Sequence, residues 1–277
     1  RLNRPNQPFA LMVSDLETVK KISDISEEDE NLLKNQRRPI VIFNKKYSKT
    51  SSGFKPSKDS PICNSVSPDI HNVGIMLPYS GTHFVLFEAL SQISKSNSEI
   101  NCLVMTSANL PGRPMVIDNN SSYEKLKGIA DGFLVDNRII ENRTDDTVIR
   151  IVNSKPLFLR RSRGFVPERI LLPFSSETGV VGVGAEMNNT VSLSKNGLVF
   201  ISQYIGNTKH FLTNEYHIEA LEKLKELSGI TPELWVCDMH PSFNTTKTAE
   251  NKAREIIKTK ASNNISNAVS SNLLRVQ

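Results

Sequence analysis

Short apolar runs, many of them β-branched, alternate along this chain with stretches of helical character. Ile40-Val41-Ile42-Phe43, Val73 to Leu77, Leu103-Val104-Met105, Phe133-Leu134-Val135, Thr147 to Val152, Leu157 to Arg160, Val180 to Val183 and Leu234 to Cys237 read as strands. Residues 11–38 read as two short helices, opened by Ser14 with Glu17 and by Ser26 with Asp29 at N-cap to N3 spacing. Gly81 to Ile93 reads as a mostly buried helix, with Phe84, Val85, Phe87 and Leu90 as its apolar bulk. Ser121 with Glu124 opens a further helix, residues 213–228 form an amphipathic one closed by Gly229, and residues 246–259 form a polar one. Asn196-Gly197 between two β-rich runs predicts a hairpin. Such interleaving predicts an α/β (α+β) class. No run approaches the ~20 apolar residues of a membrane-spanning helix, so no membrane association is expected.

The length, 277 residues, suits two domains. Residues 171–179, with Pro173, Ser175, Ser176 and Gly179, read as a linker between domains at 1–173 and 179–277. The second domain reads as incomplete. Charge divides unevenly: residues 1–173 hold 24 Lys/Arg against 19 Asp/Glu, while residues 174–277 hold 10 of each. The whole excess of +5 thus belongs to the first part, which fits nucleic acid, a phosphorylated small molecule or merely a solvated surface. Cys63, Cys102 and Cys237 are too scattered for a disulfide framework or a metal knuckle. With no signal peptide visible after Arg1, a reduced, cytoplasmic setting is expected.

Three segments gather polar groups just past strand ends or at the start of the chain. Met105-Thr106-Ser107-Ala108-Asn109 runs on into Leu110-Pro111-Gly112-Arg113; hydroxyls and open backbone there can cradle phosphate, and the same residues also build a tight turn. Asp145-Asp146-Thr147 and Arg160-Arg161-Ser162-Arg163-Gly164 bring acids together with three arginines. Their guanidinium forks suit phosphate, and an internal ion-pair network accounts for them equally well. The basic start, Arg1 to Ala10, is stiffened by Pro5 and Pro8. His83 follows Pro78-Tyr79-Ser80-Gly81-Thr82, where a pocket, a cap or a core role all fit. There is no P-loop or dinucleotide-binding glycine fingerprint, and no histidine pair at metal-chelating spacing.

Taken together, Pro8-Phe9-Ala10, Gly74 to Tyr79 with His83, Met105 to Asn109, Asp145 to Arg150 and Arg160 to Gly164 resemble a YrdC/Sua5-like domain. Gly182 to Thr190, Ser202-Gln203-Tyr204-Ile205-Gly206 and Cys237-Asp238-Met239-His240-Pro241 resemble the opening of a Kae1-like domain. In this order they resemble the HypF-type carbamoyltransferases of nickel–iron hydrogenase maturation, cut short at both ends. The resemblance implies a twisted mixed sheet with helices, then a partial Kae1-like (ASKHA-type) segment. Leu2 and Gln7 stand where the family has lysines, and Tyr204 and Asn207 where it has His and Asp; fewer cations weaken phosphate binding.

What the resemblance implies chemically is a carbamoyl-adenylate made from carbamoyl phosphate and ATP with Mg²⁺. The carbamoyl group then passes to the C-terminal cysteine of a HypE-type acceptor protein. Arg4, Ser107, Asn109 and Arg163 would act at the reacting groups. Arg1, Thr106, His83, Asp146, Thr147, Arg161 and Ser162 would hold the nucleotide, and no residue is assigned to a metal. Ser107, Asn109 and Arg163 are expected to face one cavity. Competing readings are a threonylcarbamoyl-adenylate synthase, an inactive remnant, and a basic RNA-binding module. Nucleic acid is the less expected partner, because aromatics are 6% of the chain and do not interleave with its basic clusters.

Overall fold

The computed structural model describes residues 8–50, 53–56, 66–68, 70–93, 102–262 and 272–276. Two compact units emerge. The first unit takes Asn3–Ser107 and Asp146–Gly164, and the second takes Ala108–Asp145 and Phe165–Gln277. In chain order, the first unit carries β1 (Ala10–Val13), α1 (Leu16–Ile22), α2 (Glu27–Lys34), β2 (Ile40–Asn44), β3 (Tyr47–Thr50), β4 (Gly53–Pro56), β5 (Asn72–Met76), α3 (Gly81–Ile93) and β6 (Cys102–Met105). After α4 (Asn119–Leu126) of the second unit, β7 (Val148–Val152) and β8 (Lys155–Arg160) complete it.

Six of these strands form one mixed sheet in the order β6-β1-β5-β2-β7-β8. β1 runs parallel to β5 and β2 parallel to β7, while β6–β1, β5–β2 and β7–β8 are antiparallel. Its inner strands are mostly apolar because the centre of the sheet is covered on both faces. Leu11, Val13, Val41, Phe43, Val73 and Ile75 pack on one side with Val19, Ile22 and Leu33 of α1 and α2. Met12, Ile40 and Met76 pack on the other side with Phe87 of α3. This two-sided burial explains a correction: Leu11 to Val13, expected inside a helix, is an inner strand. The helix after it starts later, with Asp15 rather than Ser14 accepting from the Thr18 N–H at 2.8 Å. The Ser26–Asp29 capping box of α2 forms as predicted.

The helix α3 has its predicted bounds but not its predicted burial. Phe87 alone is buried, while Phe84 is 57% and Val85 70% exposed. Phe133-Leu134-Val135 forms no strand and is exposed. Asp118, not Ser121, caps α4, accepting from the Ser121 N–H at 2.8 Å.

Beyond α4, the second unit consists of β9 (Ile170–Leu171), β10 (Val180–Gly182), β11 (Ser192–Lys195), β12 (Leu198–Ile201), α5 (Phe211–Ser228), β13 (Leu234–Asp238), α6 (Asn244–Ser262) and β14 (Leu273–Val276). Its sheet order is β14-β13-β10-β11-β12-β9. The stretch expected as a linker overlaps an edge strand, since Leu171 pairs with Leu198. Asn196 and Gly197 turn the hairpin with φ of 53° and 75°, and Gly229 ends α5 at φ 68°. Val181, Val183, Val191, Leu193, Leu221, Leu224 and Trp235 form the centre of a core against α5 and α6.

His217 of α5 is fully buried, and its Nε2 donates to the Val183 carbonyl at 2.9 Å. Nδ1 therefore carries the lone pair. Burial pushes the imidazole pKa down, and the bond to Val183 opposes this. Below about pH 6.5 the unfolded histidine takes up a proton that the folded one refuses. The contribution of His217 is thus complete above that pH and is lost progressively as pH falls toward the lowered folded value. Urea denaturation at pH 7.5 and 5.5 is expected to show a drop in stability that is smaller in His217→Gln. Equal drops in the two chains would refute the assignment.

Candidate functional site

Strand direction decides which loops meet. β5 and β8 run one way, β2 and β7 the other. The residues after β5 and β8 therefore share an edge with those before β2 and β7. That edge holds Tyr79, His83, Arg161–Arg163, Arg37, Arg38, Asp146 and Thr147.

Arg163 is its centre. Nε donates to Asp146 Oδ1 at 2.7 Å, Nη1 to the Arg37 carbonyl at 3.1 Å and Nη2 to the Arg38 carbonyl at 2.7 Å. The guanidinium carbon lies 3.7 Å from the Tyr79 ring centroid. Both partners of the ion pair are about three-quarters buried, with side-chain exposures of 23% and 27%, so the bond is charge-assisted in a medium well below water in dielectric. Gly164 follows at φ +84°, where an added Cβ would stand 2.8 Å from Arg37 Cβ. Only glycine lets the loop pass there.

Thr147 and Ser162 are fully buried. The Thr147 hydroxyl donates to the Arg163 carbonyl at 2.8 Å and accepts the Ser162 N–H at 2.9 Å. Its only donor proton is thus spent holding the arginine loop against the start of β7. His83 meets Tyr79 edge-on, with ring centroids 4.5 Å apart and planes at 81°. Its Nδ1 is buried with no hydrogen-bond partner among the described residues. Burial lowers the His83 pKa, Asp146 pulls it back up, and Arg163 lowers it further. Burial and Asp146 raise that of Tyr79, against a smaller opposing effect of Arg163.

Within the first unit, the strands do not bring Ser107 to the same end as Arg163, as the expected common cavity requires. β6 and β8 are the two edges of the sheet with four strands between them, and they run in opposite directions. Thr106 and Ser107 therefore leave the opposite end from Arg163. The rule that ligands gather at the carboxyl ends of strands presumes parallel strands; in a mixed sheet those ends point both ways. Asn109 belongs to the second unit, where its Nδ2 donates to the carbonyls of Leu110 at 3.1 Å and Arg113 at 2.8 Å, bracing the Pro111-Gly112 turn. Arg1 and Arg4 lie outside the described residues, as do Leu2, Gln7 and Cys63. Cys102 and Cys237 have pKa values raised by burial, as inert thiols do. Sequence reasoning had not singled out Tyr79 or the Arg37 and Arg38 carbonyls for a role at Arg163. The signal available for Tyr79 was its place directly after a strand, beside Pro78.

In the second unit, the Gly182 to Thr190 segment is an ordered loop. Asn189 Nδ2 donates to the carbonyls of Val183 at 3.0 Å and Ala185 at 2.5 Å. Glu186 Oε2 accepts the first N–H of α6, from Asn244, at 3.0 Å, a carboxylate where the helix dipole favours one. The departing residues are built in: Tyr204 donates to Asn188 Oδ1 at 3.3 Å, and Asn207 Oδ1 accepts the Lys209 N–H at 3.0 Å. A separate cavity of about 130 Å³ in this unit is lined by Arg113, Val116, Arg143, Leu212, Tyr216 and Glu219, among others. There Arg143 pairs with Glu219 at 2.7 Å and burial pushes the Tyr216 pKa up to about 12.

A mixed-sheet α/β unit ending in an arginine–aspartate clamp, followed by a second unit with a glycine-turned loop, is the class that this fold and site define. Residues 1–162 match the Sua5/YciO/YrdC family (telomere recombination), and residues 175–264 match the HypF Kae1-like domain. The chain belongs to the Sua5/YciO/YrdC family and has the HypF arrangement, with a Kae1-like domain following. It is 41% identical over 253 residues to the probable carbamoyltransferase HypF of Methanocaldococcus jannaschii, covering 90% of this chain and 30% of that protein. With the carbamoyltransferase HypF of a Synechocystis strain, identity is 33% over 253 residues, with 91% and 30% covered. The chain thus spans about 30% of the length of these curated relatives. Among solved structures, it matches full-length HypF in its phosphate- and nucleotide-bound form at TM-score 0.79 and 34% identity, covering 100% of this chain and 38% of that one. It matches T. kodakarensis HypF at TM-score 0.80 and 40% identity, covering 100% and 32%. No described helix is long and apolar enough to cross a membrane.

Proposed function

We propose that this chain is the nucleotide-activating part of an ATP-dependent carbamoyltransferase that works in the cytoplasm. The observation that carries the reading is the Arg163 clamp beside His83 in a Sua5/YciO/YrdC-family unit, together with a HypF relative solved with phosphate and nucleotide. Water hydrolyses carbamoyl phosphate to carbamate and inorganic phosphate, and a carbamate oxygen then attacks the α-phosphorus of ATP. Carbamoyl-adenylate forms and pyrophosphate leaves. Charge grows on the leaving pyrophosphate, so fixed cations and N–H donors aimed there lower the barrier. Arg163 and Arg161 supply them, joined by Arg4; Thr106 and Ser107, at the other end of the sheet, contribute hydroxyls to a nucleotide that reaches across it. Mg²⁺ would enter on the triphosphate. Among the described residues no cluster of three carboxylate, histidine or cysteine side chains could hold it alone. The carbamoyl group then passes to a cysteine of a HypE-type acceptor protein.

Calorimetric titration with MgATP tests the site. Ser107→Ala is expected to weaken ATP by about tenfold or more, one lost hydrogen bond to a charged group. If affinity were unchanged in Ser107→Ala but lost in Arg163→Ala, the nucleotide would sit at the Arg163 edge alone. Unchanged affinity in both would remove the assignment. Pyrophosphate release is expected with carbamoyl phosphate. Release with bicarbonate plus threonine instead would make the chain a threonylcarbamoyl-adenylate synthase.

A further inference from the structure

Arg163 has five N–H donors in one plane. Three are committed, to Asp146, Arg37 and Arg38. Among the described residues this leaves one on each terminal nitrogen. The three bonds fix where the guanidinium sits within its plane, but each is a single-point contact and resists tilting weakly. The Tyr79 ring supplies what they lack. At 3.7 Å the guanidinium carbon is in van der Waals contact with the ring face, where the ring quadrupole holds a cation. The ring itself packs against His83, with the two planes nearly perpendicular. His83 is tied to the first turn of α3, its N–H donating to the Ser80 carbonyl at 3.0 Å. The Tyr79 hydroxyl makes no hydrogen bond with the described residues.

We propose that Tyr79 is a positioning residue: its ring, not its hydroxyl, sets the plane of Arg163 so that the two uncommitted N–H donors form a preset pair for a phosphate oxygen of the nucleotide. This deepens the reading above and rests on it. A fork held in one plane meets phosphate without first losing rotational freedom.

The test is MgATP titration of the full chain as wild type, Tyr79→Phe and Tyr79→Leu, each with and without Arg163→Gln. Tyr79 is 39% exposed, so these replacements leave the core intact. Tyr79→Leu is expected to weaken ATP about tenfold, the scale of a partly desolvated cation–π contact, and Tyr79→Phe to recover most of that. With Arg163→Gln present, Tyr79→Leu should cost nothing more, because its effect runs through the arginine. Wild-type affinity in Tyr79→Leu would overturn the proposal, as would an equal loss with Arg163→Gln present. The Nε–H resonance of Arg163 gives a readout without nucleotide. A ring-current shift is expected in wild type and Tyr79→Phe and should vanish in Tyr79→Leu; its persistence there would overturn the stacking role. If wild type bound no ATP, the nucleotide reading would fail, and the Arg163 resonance would still decide the stacking.

Discussion

Replacing Arg163 with alanine is expected to lower stability by about 3 kcal/mol and to weaken ATP binding about a hundredfold, the scale of two lost hydrogen bonds to a charged group. The change strands three acceptors together: the Asp146 carboxylate and the carbonyls of Arg37 and Arg38. Breaking a fully buried ion pair by removing one partner costs ~3–5 kcal/mol. Here the two side chains keep 23% and 27% of their exposure, so water recovers part of the loss and the lower end of that range applies. Arg163→Lys separates charge from geometry. A lysine keeps the attraction to Asp146 but cannot span two carbonyls and lie flat on Tyr79. It should retain about half of the stability and much less of the affinity. Urea denaturation followed by circular dichroism, with ATP titration of the same samples, measures both. A fully stable Arg163→Ala would mean that the Arg37-Arg38 turn holds its shape without the arginine.

The second large effect belongs to Gly184. It sits at φ +70°, and a methyl group there would land on the Thr190 carbonyl oxygen and 2.7 Å from Asn189 Nδ2. Alanine at a left-handed position costs ~1–2 kcal/mol for the backbone alone. Displacing Asn189 would also break its bonds to the Val183 and Ala185 carbonyls, each worth ~1 kcal/mol. Gly184→Ala is therefore expected to destabilise the chain by about 3–4 kcal/mol. Gly229→Ala is the control: φ is +68°, but nothing lies within 4 Å of the added carbon. That substitution should cost ~1 kcal/mol. Chemical denaturation of the two variants would show the gap. Equal losses would mean that backbone strain alone explains both and that the loop has room to adjust.

Both effects were only half visible beforehand. Gly184 belonged to a noted motif whose crowding neighbours, Asn189 and Thr190, are close in sequence, but the partners of Arg163 lie far along the chain. Asp146 and Arg37 come from 17 and 126 residues away. The expectations that failed did so for different reasons. Ser14 lost its cap to a neighbour that fits better, and Leu11 to Val13 became a strand because β5 and β6 pair with it on either side. Phe84 and Val85 were expected to be buried, yet the single face of α3 that meets the sheet is carried by Phe87. The Thr106–Ser107 loop was placed beside Arg163 on the assumption that strand ends converge.

Local chemistry was legible in several places where a few adjacent residues decide the outcome. The Ser26–Asp29 box, the Asn196-Gly197 turn and the Gly229 stop all formed as written, because caps and positive-φ turns depend on neighbours within four positions. Short apolar runs rich in β-branched residues likewise marked most strands, because such residues suit a sheet buried on both faces. Strand order and direction were a different matter. They depend on which apolar edges satisfy each other's backbone across long gaps of chain, and no window of sequence contains both edges. Whether two polar loops open on the same end of the sheet therefore became known only with the strands in place.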